Sequence, residues 1–190
     1  LMGIYIPPKT LKRFATKPDN LPVVFVGPYE HHSNELSFRE GLCEVIRIPL
    51  DADEKIDMHV LEEQLALHQG REIIASFSVA SNVTGIMSDY KQIHALVKRY
   101  NGILCLDAAA ASPYINIDCN YYDALFLSPH KLLGGVGSCG ILVMKKSLCT
   151  ETTPTFAGGG TVGYVSRVSH TFLSDIELIE DAGTPAILQF

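Results

Sequence analysis

Asn82, Asp107 and Lys131 each follow a separate apolar run, at nearly equal intervals along the chain. An amide, a carboxylate and a primary amine brought together could do carbonyl chemistry. A lysine leaving the end of a buried strand can be desolvated, and a neutral amine attacks an aldehyde. A carboxylate in the same position is costly to bury without a partner, and a protonated ring nitrogen would be one. Asn82 could aim its amide at the hydroxyl or carboxylate of a ligand. Each residue also has a plainer reading. Asn82 could make an Asx turn, Asp107 could cap a following helix, and Lys131 could be a surface lysine after a turn.

Other polar groups stand close to these three. Ser128 and His130 flank Pro129 just before Lys131, and both suit the oxygens of a phosphate. The run Gly134-Gly135-Val136-Gly137 offers a flexible turn, but by itself it does not identify a phosphate loop. His31 and His32 follow an apolar run at Val23–Val26. Two adjacent histidines cannot both face one metal from a regular element, and no Cys or carboxylate partners stand at ligand spacing, so no metal site is expected. His31 is either a satisfied surface or cap histidine or a flat ring that stacks on a planar ligand.

The elements that would position these groups are short. Continuous apolar runs at Val23–Val26, Val45–Ile48, Ile73–Phe77, Ile103–Leu106, Ala124–Leu127 and Gly140–Met144 predict buried strands. Asp57 is placed to cap a helix with Met58, Leu61 and Leu65 on one face, and Ser88 to cap another carrying Ile93, Leu96, Val97 and Tyr100. Asn101-Gly102 would stop the second helix. Strand, helix and strand in alternation imply right-handed crossovers and a largely parallel α/β sheet, with ligands outside the carboxyl ends of the strands. Three such ends converging is the geometry of a cofactor pocket. Residues 1–22 read as an irregular segment ahead of one domain over 23–190, and residues 150–172 as a long loop.

Composition narrows the function classes. The 190 residues are 47% hydrophobic and 19% charged, enough for one substantial core. The formal charge is −6 and no Lys/Arg cluster stands out, so a nucleic-acid partner is not expected. No apolar run is long enough to span a membrane as a helix, and the N-terminal residues lack the pattern of a signal peptide. The five cysteines are odd in number with no CxxC pair, which reads as reduced thiols in a cytoplasmic setting.

Taken in order, six blocks resemble the class-V aminotransferase family, which includes the cysteine desulfurases, among the fold-type-I pyridoxal-phosphate (PLP) enzymes. They are Glu30-His31-His32-Ser33-Asn34, Ser81-Asn82-Val83-Thr84-Gly85, Asp107, Ser128-Pro129-His130-Lys131, Gly158-Gly159-Gly160-Thr161 and Gly183-Thr184-Pro185. The resemblance implies a three-layer α/β sandwich around a mostly parallel central sheet. It implies that Lys131 forms the Schiff base with PLP, that Asp107 pairs with the pyridine nitrogen and that His31 stacks on the ring. Asn82 would contact the ring hydroxyl or the substrate, and Ser128 and His130 the phosphate. Gly160 and Thr161 would reach a phosphate, in this family usually that of a neighbouring subunit, so a homodimer is implied. The substrate would be an amino acid.

The chain departs from the family pattern in three places. Desulfurases usually carry Gln three residues after the aspartate, where this chain has Ala110. The phosphate loop expected ahead of the His-His block is not found, and a small C-terminal domain, with its substrate arginine and nucleophilic cysteine, is expected beyond Phe190. The alternative to an enzyme is therefore a truncated, inactive domain that serves as a binding or assembly module. A serine hydrolase is disfavoured because no GxSxG elbow is present.

Overall fold

Apolar runs without alternation bury both faces of a strand, and five of the expected strands pair in parallel. The computed structural model describes residues 20–133 and 135–180. The chain divides into two compact units, one ending at Met144 and the other beginning at Lys145. In the first, β1 (Val23–Val26), α1 (His32–Arg39), β2 (Glu44–Arg47), α2 (Met58–Leu67), β3 (Ile73–Ser78), α3 (Tyr90–Arg99), β4 (Ile103–Asp107), β5 (Ala124–Leu127) and β6 (Ile141–Met144) follow in order. The sheet order is β2-β1-β3-β4-β5-β6. The first five strands are parallel, and β6 runs antiparallel to β5. The chain steps outward from β1 to β2 and returns past it to β3, so β1 and β3 flank a topological switch point.

The pleat sorts side chains between the faces. Val23, Phe25, Ile73 and Phe77 belong to the larger cluster, which α2 and α3 cover with Leu61, Leu65, Ile93 and Val97. Val24, Val26, Ile74 and Cys105 form the smaller cluster on the other face, where Phe38 at the end of α1 packs. These three layers are the sandwich expected. Full burial of each large apolar side chain contributes about 1.5–3 kcal/mol, and β3, buried at all six positions, anchors both clusters. Burial pushes the Cys105 thiol up to about 12, which makes it a packing residue.

Two of the expected buried strands are in fact half-open. β2 exposes Glu44 and Arg47, and β6 exposes most of its apolar side chains. Both are sheet edges, where only one neighbour covers the strand. Asp57 caps α2 as expected, accepting from the amides of His59 and Val60. The cap of α3 is Asp89, not Ser88. The Ser88 hydroxyl is used elsewhere: it donates to the carbonyl of Ser78 at 2.6 Å and lies 2.8 Å from the Tyr29 hydroxyl. The Asn101-Gly102 stop holds, with Asn101 at φ 57° and the Gly102 amide donating to the Val97 carbonyl.

In the second unit the long loop expected over 150–172 contains a hairpin, β7 (Val162–Val165) with β8 (His170–Phe172), closed by Ser166 and Ser169. Its strands are short and largely exposed, too short for an apolar run to stand out from the Thr, Gly and Ser around them. A short α4 (Ile176–Glu180) follows. Among the described residues no helix is long and apolar enough to cross a membrane.

Leu142 is 44% and Val143 42% exposed, on opposite faces of an edge strand that has no charge to deter pairing. Replacing Leu142 with lysine should therefore reduce self-association of the purified chain in light scattering. The stability change should stay within about 0.5 kcal/mol, as for other surface substitutions. Equal scattering from the two proteins would place the adhesive surface elsewhere.

Candidate active site at the strand ends

The loop leaving β1 turns at Pro28-Tyr29 and delivers His31 to the start of α1. His31 caps that helix: its Nδ1 accepts from the Ser33 amide at 3.2 Å and lies 3.0 Å from the Ser33 hydroxyl. The capping bond fixes the imidazole, so the plainer reading of His31 holds locally while the ring stays exposed at the strand ends. His32 stands beside it, with ring centroids 5.9 Å apart.

The loop after β3 is built on Ser81, whose hydroxyl accepts from the amides of Val83 and Thr84. The turn expected from Asn82 is thus made by its neighbour, and Asn82 is exposed. Asp107 ends β4 opposite Ser78 of β3 in the ladder. Its Oδ1 accepts from the Ala109 amide at 2.8 Å, which holds the turn that follows. After β5, Pro129 opens a single 3-10 turn, Pro129–Lys131, in which the Lys131 amide donates to the Ser128 carbonyl. Lys131 is exposed, so the desolvation expected of a lysine at a strand end does not occur in this unit. The strand stops at Leu127, and the turn carries the side chain clear of the core.

Gly135 holds that turn from behind. A Cβ at this position would run into the carbonyl of Pro129 and come within 3.2 Å of the His130 Cα. Gly135 is therefore a point of close backbone approach and not merely part of a flexible hinge.

These ends open on one cavity of about 470 Å³, within the range of small-molecule sites. His31, Asn82, Asp107, Ser128, His130 and Lys131 all line it. It lies at the carboxyl ends of β1, β3, β4 and β5, around the switch point, as expected for an open α/β sheet. Residues 9–190 match the family model for aminotransferase class-V. The chain belongs to that family.

Class-V relatives share both sequence and fold with it. A probable cysteine desulfurase of Haemophilus influenzae is 30% identical over 171 residues, covering 86% of this chain and 38% of the relative. A second, from Halalkalibacterium halodurans, is 27% identical over 170 residues, covering 86% and 41%. The crystal structure of a cysteine desulfurase from Escherichia coli superposes with a TM-score of 0.76 at 28% identity, over 90% of this chain and 44% of that one. An apo cysteine desulfurase from Thermococcus onnurineus NA1 gives 0.75 at 25% identity, over 88% and 42%. The chain thus spans about two-fifths of the length of these relatives.

The class-V family is PLP-dependent, and the lining of the cavity fits such a group. It offers one primary amine, one carboxylate, an imidazole fixed by its cap and an amide. The Ser128 hydroxyl makes no capping bond of its own. Ala110 also lines the cavity, so the position where desulfurases usually carry Gln presents only a methyl group. Gly160 and Thr161 lie in the second unit. There Thr161 is buried, and its hydroxyl donates to the Gly158 carbonyl at 2.8 Å. Gly183-Thr184-Pro185 lies outside the described residues.

One polar residue at this site, quoted in the first block, was given no role by the sequence reading. Glu30 stands directly before His31 and receives four hydrogen bonds. Its Oε1 accepts from the amides of Gly27 at 3.2 Å and Ser78 at 2.9 Å. Its Oε2 accepts from the Ser78 hydroxyl and the Asn34 side-chain amide, each at 2.7 Å. Burial raises its pKa above the usual carboxylate range despite these donors, and the charge of Asp107 pushes in the same direction. The signals in the sequence were its place at the head of the first block and an acid set between a strand end and a helix cap.

Gly135→Ala should destabilise the chain by on the order of 1–3 kcal/mol, because the obstructing atoms are backbone. Urea unfolding measures this, and an unchanged midpoint would mean that the Lys131 turn does not depend on the close approach.

Proposed function

We propose that this chain carries the cofactor half of a PLP-dependent enzyme acting on an amino acid, of the aminotransferase class V or cysteine desulfurase type. The observation that carries this reading is the convergence of Lys131, Asp107, His31 and Asn82 from four different strand ends on one cavity. The names of the relatives support a desulfurase, with cysteine as substrate, and Ala110 is the residue that argues for a different outcome.

Bound PLP would supply an electron-withdrawing ring that stabilises negative charge at a substrate α-carbon. Lys131 would supply the amine that holds the cofactor's aldehyde carbon and is the residue placed to carry a proton at a substrate α-carbon. Asp107 holds a proton on the ring nitrogen by its negative charge. His31 forms a flat wall, kept in orientation by its bond from Ser33. Asn82 orients a ring hydroxyl or substrate carboxylate. Ser128 and His130 hold the phosphate from the turn that carries Lys131. Gly160 and Thr161 contribute to a phosphate site across a homodimer interface. The five free cysteines fit a reducing cytoplasmic compartment.

The test is to add PLP to the purified chain, reduce with borohydride and map the modified lysines by mass spectrometry. A single adduct at Lys131, absent from Lys131→Ala, is expected. Adducts scattered over surface lysines would favour a non-catalytic module, a reading supported by the exposure of Lys131.

A further inference from the structure

We infer that Glu30 is a positioning residue of this site: its carboxylate ties the loop bearing His31 to the end of β3 and so sets the spacing between the His31 wall and the Asp107 wall of the cavity. The inference rests on the functional reading above and names a residue that does not itself line the cavity.

The argument begins with donors. All four groups that face the two carboxylate oxygens can donate, and three of them are N–H groups that cannot accept. Two bonds come from Ser78, the residue paired with Asp107 across the ladder. One comes from Gly27, at the exit of β1, and one from Asn34, in the first turn of α1. The single carboxylate therefore joins the strand end before His31, the helix after it and the strand that sets the position of Asp107. Asn34 continues the link by accepting from the Ser76 hydroxyl at 2.7 Å, inside the core. Room for the carboxylate is specified too, since a Cβ at Gly27 would collide with Oε1 of Glu30. A carboxylate drawn partly out of water and bonded four times is expensive unless its geometry is used. Here its geometry spans both walls.

The experiment compares wild type with Glu30→Ala and Glu30→Gln, reading PLP affinity, visible circular dichroism of the bound cofactor and amide hydrogen exchange at Gly27, Ser33 and Ser78. Glu30→Ala should weaken PLP binding and speed exchange at these amides by about tenfold each, the scale of one lost charge-assisted bond. It should also remove the cofactor's dichroism at temperatures well below unfolding. Glu30→Gln keeps one acceptor oxygen but sets its amide NH2 against at least one N–H that cannot accept, so its loss of affinity should fall between about threefold and that of Glu30→Ala, about tenfold. Wild-type affinity and dichroism in Glu30→Ala, even with a lower unfolding temperature, would overturn the inference by leaving Glu30 a structural role alone. If Glu30→Ala does not fold, Ser78→Ala, which removes one donor, takes its place. Wild-type binding and dichroism in both Ser78→Ala and Glu30→Gln would overturn the inference. If wild type forms no adduct at Lys131, the functional reading fails separately. The exchange data then decide: faster exchange at Ser33 and Ser78 in the variant supports the inference, and equal exchange overturns it.

Discussion

Parallel pairing is the constraint on which the rest of the first unit depends. Two parallel neighbours cannot be joined by a tight turn, so every connection from β1 through β5 must travel back along the sheet. The returning segments supply the helices that cover the apolar faces. The same rule brings every strand out at one edge, so residues far apart in sequence leave the core side by side. Right-handed crossovers place α2 and α3 on one face, and the reversal of direction at β1 opens the crevice between β1 and β3. The cavity is a consequence of connectivity before it is a consequence of any particular side chain.

Onto that edge the chain places polar groups with very different costs. Asp107, Asn82 and Lys131 stay partly or wholly in contact with solvent, where a charge or amide is cheap to keep. Glu30 differs in its bonding. It is half-buried like Asp107, but its carboxylate is held by four fixed donors, which is how folded proteins tolerate polar groups drawn partly out of water. A comparable arrangement lies at the opposite end of the sheet. Buried Asp123 accepts from the Leu104 amide and pairs with Lys98, which also donates to the Gly102 carbonyl. One carboxylate organises the edge where the chain leaves the strands, and another the edge where it enters them.

Much of this architecture was legible in the residues, for reasons that can be named. β1 is a continuous apolar run between Pro22 and Gly27, β5 one between Asp123 and the Ser128-Pro129 pair, and the limits of both coincide with the reading. β3 and β4 each extend one residue further, to Ser78 and Asp107, because a ladder hydrogen bond is indifferent to side-chain polarity. β7 and β8 escaped notice because they are only four and three residues long, lie in a stretch rich in Thr, Gly and Ser, and are largely exposed. Ser88 and Asp89 are both good caps, and only the claim of Ser78 and Tyr29 on the serine hydroxyl decides between them. The turn assigned to Asn82 belongs to Ser81 for a similarly local reason. The exposure of Lys131 could not be read, because the 3-10 turn that swings it outward depends on Gly135 approaching Pro129. Glu30 was the least legible, since its partners lie at the β1 exit, in α1 and at residue 78, and only the folded chain assembles them.

The uneven burial of the sheet has a dynamic consequence. β3 is covered at every position, β5 opens at Phe126, and β6 is exposed along most of its length. Local opening costs least where the fewest apolar contacts must be broken. Transient fraying therefore enters at the two half-open edges: from β6 it reaches β5 long before it reaches β3, while on the other side β1, buried at every position, stops it behind β2. The segment carrying Lys131 sits on the yielding side and the segments carrying Glu30 and Asp107 on the unyielding one. The cavity accordingly has one wall that breathes and one that serves as a fixed reference.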